Sequence, residues 1–436
     1  MIRGHLKPRR RCTRWRTARW LWPGRAAIGA TYTVSPVILI DANVGWTRQR
    51  LGAENIDIEK NYGLDDLKIP GTNGPDRLQG GYPRFNISGF SALGNPNVSN
   101  PFLFRDNQYV AVGNVSWIRG SHSLRFGGEY TRYEINHFQP QAAFGPRGGF
   151  NFTGGLTALR GGSPPNLYNG LADFLLGLAN GMGKDVQYVN PAAVRMPSYG
   201  FYIRDQWQAS RKLTLNYGMR YEYYPFATRD HRGGERYDLA TDKVFVVNSA
   251  AYLRTPAWMW QGSDCATHRG GLPVERKTVI CAGFVSTSIE LFPIMRDAYP
   301  ATISTQFSGN TTFEAAGTLR SGIPEVTGPD LSQGIIALPL AVGTKTFPEK
   351  FDRGYIQSYN VTVQRDLGGS FNVQAGYVGS RAVRQTVVLN LNAAGPGGGN
   401  AGQALFAKSG RIATIDQLTP FGTSSYNSLQ TQLSRR

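Results

Sequence analysis

From Leu213 to Tyr223 the chain alternates without a break. Leu213, Leu215, Tyr217, Met219, Tyr221 and Tyr223 share one parity, and Thr214, Asn216, Gly218, Arg220 and Glu222 share the other. Successive side chains of a β-strand point to opposite faces, so this segment is a strand with one apolar and one polar face. A soluble sandwich would bury Leu215, whereas a membrane barrel would show Leu215 to lipid and keep Arg220 inside.

The pattern recurs in pairs. "AAIGATYTV" and "VILIDANVGWTR" meet at Ser35-Pro36, and "NQYVAVGNVSWI" and "SLRFGGEYTRYEI" meet at Arg119 to His122. "SYGFYIRDQWQ" turns through Ala209-Ser210-Arg211 into "KLTLNYGMRYEYY", and "YIQSYNVTVQR" turns through Asp366 to Gly369 into "SFNVQAGYVGS". Each pair reads as a hairpin with a tight polar turn. Between the pairs lie Gly/Asn/Pro-rich spans, from Arg48 to Asn107, Asn136 to Pro197, Pro225 to Gly354 and Arg381 to Thr423. Connections beyond ~12–15 residues are uncommon in compact soluble domains, while outer-membrane barrels have short periplasmic turns and long extracellular loops. Runs of about 11 residues, tilted by ~40°, project to roughly 25–28 Å, close to the apolar band of such barrels. Trp46, Tyr109, Trp117, Trp207, Tyr221 and Tyr223 stand toward strand ends, as in the aromatic girdles of membrane proteins. Nine strands are legible, or eleven if "AYLRTPAWMWQ" (251–261) pairs with "ERKTVICAGFVSTSIELF" (275–292).

No apolar run reaches the length of a membrane helix, which leaves a β-barrel open. Half of the formal net charge of +18 sits in residues 1–25, with nine Lys or Arg and no acid. Such an arm can bind nucleic acid or serve as a transit peptide. It lacks apolar periodicity and a secretory apolar segment, so it is expected to be a disordered arm, non-native or mis-assigned, with no nucleic-acid partner. Residues 26–436 are expected to form the barrel portion. Cys12, Cys265 and Cys281 are too few for a disulfide scaffold, although Cys265 and Cys281 could pair.

Catalytic signatures are missing. None of the five His lies in an H-E-x-x-H pair, and "AGPGGGN" (394–400) has no strand–Gly–helix context. No catalytic, metal or cofactor site is expected, and no enzyme. "LADFLLGLANG" (171–181) suits a two-turn helix packed inside a loop and ending at Gly181.

"YGFYIRDQWQASRKLTLNYGMRYEYYPF", "LADFLLGL", "GSHSLRFGGEYTRY", "FDRGYIQSYNVTVQRDLGGSFNVQAGYVGSRA" and "SSYNSLQTQLSRR" together resemble the barrel of TonB-dependent outer-membrane receptors, in particular the Oar-like subgroup. The resemblance implies an all-β, antiparallel transmembrane barrel of about 22 strands in the intact receptor. It also implies an N-terminal plug, a Gram-negative outer-membrane location, and uptake of a ligand with energy from a TonB-type coupling protein. No plug or energy-coupling box is recognisable ahead of the strands, and no terminal aromatic follows them, so a barrel segment is expected, not competent for transport alone. In that setting Arg204, Asn216, Arg220, Glu222, Gln364 and Gln374 would face the lumen. Trp46, Tyr109, Trp117, Trp207, Leu213, Leu215, Tyr217, Tyr221, Val361 and Val373 would face lipid or its interfaces. An unidentified ligand would meet the extracellular loops first. The alternative is a secreted soluble β-protein that binds carbohydrate or adhesive partners through Tyr and Trp.

Overall fold

A computed structural model describes residues 17–436 except 141–142, 211–212, 226, 231–233, 247–266, 276–277, 289–297, 326, 332, 349–350, 352–353 and 436. Eleven long strands follow one another in chain order: β1 (Thr17–Ser35), β2 (Ile38–Asn55), β3 (Phe102–Arg119), β4 (His122–Phe138), β5 (Ala192–Ser210), β6 (Leu213–Tyr223), β7 (Thr267–Glu275), β8 (Thr278–Ser288), β9 (Tyr355–Gly368), β10 (Phe371–Asn390) and β11 (Ile415–Arg435). Neighbours pair antiparallel from β1 to β6 and from β7 to β11, and β7 lies alongside β6. The result is one curved wall in which sequence order equals spatial order.

All the tight turns lie at one end of this wall and all the long connections at the other. At the β3–β4 turn Gly120 has φ 57° and meets no atom where a Cβ would stand, which suits a residue without a side-chain penalty in that region. The β9–β10 turn holds Gly368, Gly369 and Ser370 at positive φ.

Several sequence expectations shift. Most strands are longer than 11 residues, and β11 reaches 21. Alternation does not stop where the apolar band stops, because the ladder keeps pairing after its residues become polar. The loop after β2 therefore starts beyond Asn55, and the last one spans only 391–414. The additional hairpin exists, but the strand that pairs with Thr278–Ser288 is Thr267–Glu275; residues 251–261 lie outside the described residues, as does Cys265. Residues 17–25, assigned to the basic arm, pair with Thr47–Asn55 as the loop end of β1. Ladder hydrogen bonds satisfy the backbone there whatever the local charge.

The helix also moves. It spans Leu167–Leu175, because Asn166 caps it by accepting from the Tyr168 and Asn169 amides. Gly177 then turns the chain at φ 69°, a common helix stop. Strands begin at Leu178, so the expected end at Gly181 is too late.

The long connections fold together at their end of the wall. Their short strands order as Leu93–Gly94, Arg84–Ile87, Gly149–Phe152, Gly181–Gln187, Thr302–Ser308 and Val342–Thr346, the last running parallel to the start of β11. Two apolar clusters sit here. One holds Phe85, Ile87, Phe150, Phe152 and Met182, and the other holds Tyr237, Val244, Tyr299, Ile303, Val342 and Ile415. Phe150 and Phe152 are completely buried, each worth about 1.5–3 kcal/mol relative to exposure. The dense hydrophobic core of this protein is thus in its loops.

Polar groups complete the loop assembly. Buried Asp185 accepts from the Phe144 and Gly145 amides and from Ser304 Oγ. Arg229 pairs with Glu235 at 2.7 Å, both buried. Fully buried Arg411 pairs with Asp242 and donates to the Leu338, Pro339 and Val342 carbonyls. Buried charges persist only when paired and hydrogen-bonded in this way.

Candidate functional site: the polar face of the wall

Register decides which residues share a face. Tyr32, Ile40, Val115, Phe126, Ile203 and Met219 stand side by side across β1 to β6. Ile28 and Val44 form part of a second such row, with Ala111, Tyr130, Tyr199 and Tyr223. Much of this belt is open: Ile28 is 76% exposed, Tyr32 69%, Phe201 56% and Met219 54%. A sandwich core would cover these side chains.

Aromatics border the belt. Trp46 and Tyr109 are register partners toward the loop end, where Tyr130 and Tyr199 contact at 5.2 Å between ring centroids. Trp117 and Trp207 stand toward the turns, and Trp207 stacks on His122. Tyr109 and Trp117 are separated by about 26 Å of strand at ~3.3 Å per residue, or roughly 20 Å once tilted by ~40°.

Of the sequence-derived apolar set, Tyr217 pairs with Asp205, Leu215 with Trp207, and Tyr221 with Phe201, all on the belt face. Leu213 opens β6 opposite Ser210. Val361 pairs with Tyr377, and Val373 with Arg365 near the β9–β10 turn. Asp205 breaks the parity rule, since it is a carboxylate on the apolar face. It is 6% exposed because His122 Nδ1 at 2.6 Å and Tyr217 Oη at 2.9 Å close over it.

The opposite face is polar and concave. A concavity of about 860 Å³ is lined by Ser116, Ser123, Arg125, Tyr202, Arg204, Gln206, Asn216 and Arg220, and also by Leu124, Ile203, Asp205, Tyr217, Gly218 and Met219 from the same strands. Arg220 and Glu222 sit opposite Tyr202 and Gly200. Gly200 matters sterically, because a Cβ there would stand 2.8 Å from Arg220 Nη2. On β9 and β10, Gln364 and Gln374 are direct register partners, with Gln432 next in the row. The six residues assigned to the lumen from sequence therefore lie at polar-face positions of their sheets.

Sequence reading missed the network that ties this face together. Asp41 accepts from Asn114 Nδ2 at 2.6 Å and Arg125 Nη2 at 3.2 Å. Tyr202 Oη donates to Asn114 Oδ1 at 2.6 Å and accepts from Arg125 Nε at 3.1 Å. Toward the loops, Arg220 donates to Glu222 at 2.6 Å and Glu129 at 3.1 Å, and Tyr224 Oη donates to Glu222. The available signal was a polar residue in phase with the polar face at mid-strand, as Asp41 and Asn114 both are. A wall with a lipid-compatible belt outside and a satisfied polar network inside defines a membrane β-barrel.

Residues 16–436 match the family model described as outer membrane beta barrel domain, and the chain belongs to that family. It is an outer-membrane β-barrel protein whose tight turns lie at one end of the wall and whose long connections lie at the other. Among solved structures it is similar to the outer membrane transporter YddB from Escherichia coli, at 11% identity and TM-score 0.48, covering 95% of this chain and 39% of that one. It is also similar to a variant of the ferric enterobactin receptor PfeA from Pseudomonas aeruginosa, at 9% identity and TM-score 0.49, covering 95% and 41%. The FrpB iron transporter from Neisseria meningitidis matches at 11% identity and TM-score 0.44, covering 96% and 42%. The chain thus spans about two fifths of the length of these structures. No curated protein matches it.

Proposed function

We propose that this wall is the barrel portion of a TonB-dependent uptake receptor of the Oar-like subgroup. The polar face lines the passage, the belt faces lipid, and the folded loops meet a ligand outside the cell. The observation that carries the reading is the continuous segregation of the two faces across six strands, combined with tight turns at one end and a folded loop assembly at the other. The quoted sequence segments that resemble such receptors add to it. Energy for uptake then comes from a TonB-type protein at the inner membrane.

Topology is tested by adding trypsin to intact cells. Cleavage after exposed Arg160 in the loops, with Arg119 at a turn cut only after the outer membrane is opened, is the expected result. Cleavage at Arg119 in intact cells reverses the orientation. Energy coupling is tested in the intact receptor: accumulation of its ligand should collapse with a protonophore, and accumulation that persists sinks the TonB-dependent reading.

A further inference from the structure

Hydrogen-bonding groups on the polar face divide into two populations by depth. Toward the loops, Glu129, Arg220, Glu222 and Tyr224 bind one another, and at mid-wall Asp41, Asn114, Arg125 and Tyr202 do the same. Toward the turns the pattern stops. Among the described residues, the Arg204 guanidinium has no acceptor within hydrogen-bonding distance. Among the described residues, the side chains of Gln206, Asn216, Ser116 and Ser123 around it have no hydrogen-bond partner within the protein either. Register places Arg204 beside Arg125 and Gly218, with Gln206, Asn216 and Ser123 in the next row down. All five line the same concavity, and the one carboxylate in its lining, Asp205, is already engaged by His122 and Tyr217. Gly218 keeps the space beside Arg204 open, since a Cβ there would lie 2.8 Å from the Arg204 Cβ.

A guanidinium offers a planar fork of donors and no acceptor, and the surrounding amides and hydroxyls can supply further donors. The complement of that set is an oxyanion, because carboxylate and phosphate oxygens accept a bidentate Arg and additional neutral donors. We propose that the turn-end half of the concavity is a binding site for a small oxyanion, a carboxylate or phosphate, held by Arg204 with Gln206, Asn216, Ser116 and Ser123. The proposal rests on the polar face being the water-filled one.

The test uses the full chain in non-ionic detergent and modification by phenylglyoxal, mapped residue by residue by mass spectrometry, with citrate and inorganic phosphate as separate probes. Without a probe, Arg204 should react fast and Arg220, engaged by two carboxylates, slowly. At saturating citrate or phosphate, Arg204 should slow by about tenfold, in keeping with a charge-assisted contact, while Arg220 stays unchanged. Protection by one probe alone supports the site and names its anion class. In a parallel titration by calorimetry, Arg204→Gln should weaken binding by about tenfold and Arg204→Lys by less. Fast Arg204 without protection by either probe overturns the anion site and leaves the wall intact. Protection by a Glu-rich peptide but by neither small anion also overturns it, in favour of a protein occupant. Equal reactivity of Arg204 and Arg220 overturns both the site and the polar wall beneath it.

Discussion

Tyr217 Oη donates to Asp205 Oδ2 across a direct register pair, at 2.9 Å, and His122 reaches the same oxygen from the neighbouring strand at 2.6 Å. Asp205 stands in the row of Trp117, two residues from Trp207 and toward the turns, where a tyrosine and a histidine close over the carboxylate. Tyr217→Phe removes one of these partners from a group that is 6% exposed. Leaving a buried acceptor short of partners is costly, so this variant should unfold at lower urea concentration in micelles. Tyr109→Phe, elsewhere on the same belt, is the control and should leave the midpoint in place.

Depth along the belt sets how much a charge costs. Met219 is in the central row with Ile203 and Phe126, whereas Leu215 is beside Trp207, close to the turn. An Arg facing lipid near the midplane costs ~2–4 kcal/mol, falling to ~0–1 near the interfaces. Refolding yield into lipid vesicles, read by gel mobility, should fall most for Met219→Arg, less for Leu215→Arg and least for Asn216→Arg on the polar face. If Asn216→Arg is the most damaging of the three, the two faces have been assigned the wrong way round.

Arg411 holds three loop connections at once, through Asp242, through the carbonyls of residues 338–342, and through its own position ahead of β11. Arg411→Met leaves Asp242 without its buried partner, a change worth about 3–5 kcal/mol when such pairs are broken. The loop assembly should loosen while the wall survives. Limited proteolysis should show faster cleavage after exposed Lys408 with unchanged β-type circular dichroism.

Lys184, in the loop strand Gly181–Gln187, donates to the Asn73 carbonyl. Burial pushes its ammonium down from 10.5 to about 8, against the weaker pull of Glu325. Between those values the unfolded chain carries the extra proton, so stability of the loop assembly should rise with pH from about 8 to about 10.5. Lys184→Met should remove that rise. A pH dependence identical in the two proteins, followed by loop proteolysis, would show that the ammonium is not desolvated.

Strands with one polar and one apolar face announce themselves by period two, which is why the alternation of β1–β6 and the tight turns were legible. The loop assembly was not. Phe150, Phe152 and Ile303 lie in short segments whose partners come from other connections, and no local period marks them. Asp205 shows the same limit at one position, since its partners His122 and Tyr217 are 83 and 12 residues away. The helix start was missed for a local reason, because the Asn166 cap precedes the apolar run that drew attention.

Because the long connections share their cores, they do not behave as separate fingers. Asp185 from one connection is bonded to Ser304 from another, Tyr237 to Thr346, and Gln306 to Thr414. Grafting a single loop from a relative would import half of such a pair and strand the other half. Diversification of the outer surface is therefore expected to proceed by co-ordinated change in several connections, or by change confined to exposed tips such as Leu159-Arg160. The wall beneath, with its faces fixed by parity, can stay the same throughout.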